Sequence, residues 1–162
     1  MPTPSDWGDW LHSTGYWWLD APDWSPSHEL ASFLASGPPP VYVGFGSMPS
    51  GSSRTTALVL DALRADGQRG ILSGRWDELP HRDVGDSVMT VHDVPHSWLF
   101  PRMAAVGHHS GAGTTAAALR AGVPPVNMPC MVDQPFGGER VQSLGAGPAP
   151  IPLKQLTADR LL

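Results

Sequence analysis

Short apolar strands alternating with helical segments predict an α/β fold: a parallel sheet of about six strands with helices on both faces. Three observations carry that prediction. Residues 41–45 (Val-Tyr-Val-Gly-Phe) are an apolar run without polar alternation, as expected of a strand buried on both faces. Similar short runs recur at 70–73, 88–91, 104–106, 126–128 and 148–151, with turn residues or helical patterns between them. The polar clusters suited to chemistry all follow one of these runs, where open parallel sheets bind ligands.

Taken in order, residues 1–25 hold five of the seven tryptophans among Pro, Ser and Asp, with no helical or alternating spacing. They read as an extended lead-in or interdomain linker whose rings pack on the domain, with a ligand cage as the alternative. Residues 26–162 form the domain proper. A short helix is expected at 26–35, capped by Ser25 or Ser27, with Leu30, Phe33 and Leu34 on one face. Gly37-Pro38-Pro39-Pro40 breaks it. Residues 55–65 predict a second helix with Leu58, Ala62 and Ala65 turned inward and Gly67 stopping it. Further helices are expected at 114–121 and 136–144, and one begins at 157–162 with Thr157 as cap.

A chain of 162 residues is long enough to bury a real core as a single domain. Its 18 glycines and 18 prolines are about double average usage, yet no repeat accompanies them, so they mark turns rather than disorder. A net charge of −5 argues against nucleic acid or an anionic membrane surface as partner. The single cysteine, Cys130, rules out an internal disulfide and reads as a buried apolar residue. With no apolar run long enough to span a bilayer and no charged-then-apolar leader, a cytoplasmic location without a transmembrane segment is expected.

Residues 105–134 carry the most chemistry: a strand, paired histidines, a glycine turn, a helix of small residues, a second strand and an Asp-Gln pair. Gly111, Ala112 and Gly113 let the backbone approach an anion, and the free N–H groups of residues 113–116 face it at the positive end of the helix dipole. His109 can add a donor, and the Thr114 hydroxyl can reach the same anion or merely cap the helix. His108, one residue back on the strand, turns to the opposite face and reads as structural. Ser47, after the first strand, can approach the same anion from the other side. Asp133 and Gln134 suit vicinal hydroxyls of a hexose, since a carboxylate accepts twice and an amide both donates and accepts; a helix cap at Asp133 is the alternative. Arg75 and Trp76 end the second strand, bordering a ligand or lying in a plain surface loop.

Gly111-Ala112-Gly113-Thr114-Thr115-Ala116 also fits the G-x-G-x-x-A dinucleotide fingerprint, with Asp133 twenty residues past Gly113. This alternative, an NAD(P)-binding oxidoreductase domain, is disfavoured on three counts. About three strands precede the motif, Asp133 lies in a loop beyond Pro129, and the abutting histidines have no place in that fingerprint. No histidine or cysteine shows metal-ligand spacing.

His109-Ser110-Gly111-Ala112-Gly113-Thr114-Thr115, Arg120-Ala121-Gly122-Val123-Pro124 and Asp133-Gln134-Pro135-Phe136 resemble the nucleotide-sugar signature of family 1 glycosyltransferases. Residues 14–20 (TGYWWLD), 41–48 (VYVGFGSM) and 94–101 (VPHSWLFP) resemble its sterol 3β-glucosyltransferase branch, and bacterial antibiotic glycosyltransferases share much of the pattern. The resemblance implies the second, Rossmann-like half of a GT-B fold: the donor-binding domain of an inverting, metal-independent hexosyltransferase without a cofactor. It implies a UDP-sugar or dTDP-sugar donor, with Ser47, His109, Gly111, Ala112, Gly113 and Thr114 on its diphosphate and Asp133 and Gln134 on its sugar. Val94 and His96 would then lie at the nucleobase, with Arg75 and Trp76 bordering it. A lipid-like or polyketide-type acceptor, and the base that deprotonates it, would belong to a first domain preceding residue 1, and a closing helix would follow residue 162. A non-catalytic nucleotide-binding remnant is the other alternative. Three positions depart from the family pattern: Ala117 where many relatives carry a ribose-binding glutamate, Ser110 where glycine is usual, and Gly137 where an aromatic is common.

Overall fold

A computed structural model describes residues 3–46, 53–74 and 85–161. Five strands form one parallel sheet: β1 (Val41–Gly44), β2 (Gly70–Ser73), β3 (Val88–Val91), β4 (Ala105–His108) and β5 (Pro125–Asn127), in the order β3-β2-β1-β4-β5. The chain moves outward from β1 to one edge, then returns beside β1 as β4 to build the other side. The sheet therefore has its topological switch point between β1 and β4, where a crevice opens at the carboxyl ends of the strands.

Alternate strand residues feed two cores. Val43, Leu72 and Met128 join Val59 and Leu63 of α2 (Ser53–Ala65) on one face. Tyr42, Ile71 and Val106 join Leu30 of α1 (His28–Ala35), Leu99 of α3 (His96–Leu99) and Ala118 of α4 (Ala112–Ala121) on the other. This alternation is the period-two geometry of a strand covered on both sides. A fifth helix, α5 (Gln134–Ser143), follows β5.

Helix ends follow local chemistry. The Ser27 hydroxyl caps α1 by accepting from the Leu30 amide at 3.1 Å, so the helix starts after Pro26 rather than at it. Gly122, with φ 69°, closes α4 in the left-handed conformation that glycine adopts without a steric penalty. The buried residues of α2 are Thr55, Val59, Leu60, Ala62 and Leu63. The expected Leu58 is only half-buried and Ala65 is exposed, because the i, i+4, i+7, i+8 face set by Val59 and Leu63 meets the sheet.

The expected sixth strand at 148–151 does not form. The Ile151 amide donates to Asn127 O at 2.8 Å and the Leu153 amide to Pro129 O at 2.9 Å, as a parallel neighbour of β5 would. The return bond fails for a covalent reason: Pro129 has no N–H to offer the Ile151 carbonyl. The helix expected at 157–162 is a single 3₁₀ turn, Ala158–Arg160. Residues 3–27 contain no helix or strand. Residues 17–24 lie along the α3–α4 side, with Trp24 4.9 Å from the Trp98 ring and Asp20 paired with Arg120. Trp7, Trp10, Trp17 and Trp18 stay exposed rather than packing their rings on the domain.

Candidate functional site

The loops after β1 and β4 meet at the switch point, and His109 stands between them. A β-carbon at Gly111 would lie 2.5 Å from His109 Nε2, and one at Gly46 would lie 2.9 Å from its Cε1. Only glycine fits at either place with the ring where it is. Burial lowers the His109 pKa, and the Gly44 backbone and the Asp133 carboxylate pull the other way. Its Nδ1 is buried and meets no hydrogen-bond partner of normal geometry among the described residues.

α4 begins at Ala112, two residues earlier than the sequence pattern suggests. The Thr115 amide already donates to the Gly111 carbonyl at 2.9 Å, and the Thr115 hydroxyl donates to the same oxygen. The helix amides without an intrahelical acceptor are thus those of 112–114, not 113–116. Gly111 occupies the N-cap and has no side chain to cover them. Thr114, half-exposed, keeps its hydroxyl uncommitted among the described residues, whereas Thr115 is buried and used within the helix.

Behind this turn lies a buried polar bracket. His108 is 0% exposed, and its Nδ1 accepts from the Ser110 amide at 3.0 Å. Ser110 sits at φ 66°, a left-handed conformation that favours glycine; its hydroxyl donates to Asn127 Oδ1 at 3.0 Å and offsets part of that strain. Serine at this usual glycine position thus ties the turn to β5. Gly137 packs against the same residue, since a β-carbon there would stand 3.0 Å from the Ser110 carbonyl oxygen. The opposite-face assignment of His108 and His109 agrees with this geometry. Asn127, absent from the sequence-based candidates, is marked in the sequence only as a polar residue inside an apolar strand.

Asp133 is exposed at the N-cap position of α5, but its side chain makes no cap bond, so the carboxylate is free of the structural duty considered above. Gln134 differs: it is 5% exposed, and its Oε1 accepts from the amides of Cys130 at 2.9 Å and Met131 at 3.1 Å and from Cys130 Sγ. That oxygen closes the loop between β5 and α5, which leaves the amide nitrogen for any ligand. Cys130 itself is half-buried rather than fully enclosed.

His96 opens α3, stacked 4.3 Å from Phe100 at an interplanar angle of 15°, with Tyr42 Oη 3.4 Å from its Nε2. Burial lowers its pKa. Val94 is half-buried against the same core. A cavity of about 710 Å³ runs between the lead-in, α3 and α4, with Trp18, Asp20, His96, Thr114, Ala117 and Arg120 in its wall. It includes His96, Gly113 and Thr114 of the sequence-predicted site; His109, Asp133 and Gln134 are not part of its wall. Ser47, Arg75 and Trp76 lie outside the described residues. Among the described residues no three His, Cys, Asp or Glu side chains come together to hold a metal ion, and no helix is long and apolar enough to cross a membrane.

The strand order, with an uncapped glycine-led helix at the switch point, defines a Rossmann-like domain of the kind found in GT-B glycosyltransferases. Residues 74–162 match a family model described as erythromycin biosynthesis protein CIII-like, C-terminal domain. A sterol 3-beta-glucosyltransferase of Arabidopsis thaliana is 43% identical over 164 residues, covering 99% of this chain and 26% of the relative. The vancomycin aglycone glucosyltransferase of Amycolatopsis orientalis is 49% identical over 143 residues, covering 86% of this chain and 34% of the relative. The crystal structure of a UGT transferase from Siraitia grosvenorii in complex with UDP shares the fold, with a TM-score of 0.68 at 20% identity over 82% of this chain and 37% of that one. The chain belongs to the erythromycin CIII-like C-terminal domain family of family 1 glycosyltransferases. It spans about a quarter to a third of the length of these two curated relatives.

Proposed function

We propose that residues 26–162 form the donor-binding domain of an inverting, metal-independent glycosyltransferase that moves a hexose from a UDP- or dTDP-sugar to a hydroxyl group. The observation that carries this reading is the pairing of three free α4 amides with His109 at the switch point. The fixed N–H groups and helix dipole stabilise the negative charge that grows on a departing diphosphate, before any reorganisation is needed. As the acceptor oxygen bonds to the anomeric carbon, the carbon–diphosphate bond breaks, and the hydroxyl proton passes to a base supplied from outside these residues. The names of the two curated relatives support a sterol-like or natural-product acceptor.

The ligand class is tested by calorimetry on the full chain with EDTA present. UDP or dTDP should bind more tightly than NAD, and His109→Ala should cost about 1–3 kcal/mol of that affinity, the usual loss for a hydrogen bond to a charged group. NAD binding that exceeds UDP binding would support an oxidoreductase domain instead, and a folded chain that binds neither would support a non-catalytic remnant.

Sugar reading is separable from nucleotide reading. Asp133 is exposed and uncommitted, so Asp133→Ala should leave the fold intact while weakening UDP-glucose and sparing free UDP. Gln134 is the wrong residue for this test, because its Oε1 holds the Cys130–Gln134 loop. Equal loss of both ligands in Asp133→Ala would remove Asp133 from the sugar site.

A further inference from the structure

The cavity beside α4 offers a different chemistry along each part of its wall. Gly113 and Thr114 bring free amides and a hydroxyl, and Pro95 and His96 bring a flat surface. Between them, α4 contributes the methyl groups of Ala117 and Ala121, which cannot hydrogen-bond. A nucleotide stretched from the amides to His96 would set its ribose, with its hydroxyls, over those methyls. The carboxylate in this wall belongs to Asp20 of the lead-in. Arg120 donates to its two oxygens at 2.8 and 3.0 Å, and the same guanidinium lies 4.6 Å from the Trp18 ring centre. Each carboxylate oxygen keeps a lone pair after accepting from Arg120, enough to accept a hydroxyl hydrogen as well. A surface ion pair of this kind adds little to stability, so its geometry is better explained by what it positions.

We propose that Asp20, held in place by Arg120, reads the ribose hydroxyls of the bound nucleotide, so that the lead-in completes a site otherwise built by α3 and α4. This rests on the donor-domain reading. It assigns the segment 17–22 a ligand-binding role and makes Arg120 a positioning residue. The cavity volume, about 710 Å³, is within the range that holds a ligand of nucleotide size.

Calorimetry on the full chain with UDP and with 2′,3′-dideoxy-UDP tests the proposal. The unmodified chain should prefer UDP by about tenfold or more. Asp20→Ala and the same-sized Asp20→Asn should bring UDP down to the dideoxy level and leave the dideoxy affinity unchanged. Equal affinity of the unmodified chain for both nucleotides would overturn the assignment. So would a preference that survives in both folded variants, or a matched loss of both ligands, which would mean that Asp20 only anchors the lead-in. A failure of the unmodified chain to bind UDP would overturn the donor-domain reading itself, and this assignment with it.

Discussion

Phe100→Ala is expected to cost about 3–5 kcal/mol of folding stability, the range for removing a fully buried phenylalanine. Phe100 is 0% exposed and sits where three elements meet. Its ring lies 4.9 Å from Tyr42 on β1 and 4.3 Å from His96 on α3, within the core that also holds Leu99, Val106 and Ala118. The cavity left by alanine would be lined by the central strand on one side and by the helix that presents His96 on the other. Urea denaturation measures the loss as a lower midpoint at unchanged slope. Phe100→Leu, which keeps most of the volume, should cost less than about 1.5 kcal/mol. A loss below about 1 kcal/mol for the alanine variant would show that this face of the sheet does not depend on Phe100. Because His96 stacks on this ring, nucleotide affinity should fall in Phe100→Ala even under conditions where the chain stays folded.

The parts of the fold that were legible in the sequence are those fixed by short-range pattern. Residues 41–44, 70–73 and 88–91 are strands because their runs are mostly apolar and lack polar alternation, and the glycine turn stands out because Gly111 and Gly113 mark the start of a helix of small residues. What escaped depends on partners distant in sequence. The sixth strand fails because Pro129 faces Ile151 without an N–H, and that pairing is a matter of register rather than of local propensity. The Asp-Gln pair reads as two equal sugar-binding side chains, yet the Gln134 oxygen is held by amides whose direction only the folded loop reveals. Asp20 and Arg120 are separated by 100 positions, and no local motif links them.

The same separation of roles explains why two adjacent histidines differ. His109 is only half-buried between Gly46 and Gly111, while His108 points into the protein and shapes the turn. The neutral state matters to His108, because Nδ1 must offer a lone pair to the Ser110 amide. A proton there would set one N–H against another, and the buried Ser110–Asn127 bond depends on the same turn.

Stability is therefore expected to fall as the pH is lowered through the histidine range. Burial, with smaller contributions from His109 and His96, pushes the His108 pKa down from 6.5 to about 3. Above pH 6.5 the ring is neutral in both the folded and unfolded chain and stability is independent of its titration. Below pH 6.5 the unfolded chain takes up a proton that the folded chain refuses, so each pH unit costs about 1.4 kcal/mol until the folded value is reached. Between pH 6.5 and 5, above most carboxylate titration, His108 alone should remove about 2 kcal/mol. His96 and His109, whose pKa values are also lowered mainly by burial, add to the loss in the same direction. Urea midpoints of the unmodified chain and His108→Asn across this interval isolate the contribution of His108. Asparagine can still accept from the Ser110 amide but does not titrate, so its profile should be flatter by the His108 share. Parallel profiles for the two chains would show that His108 is not held neutral by the fold.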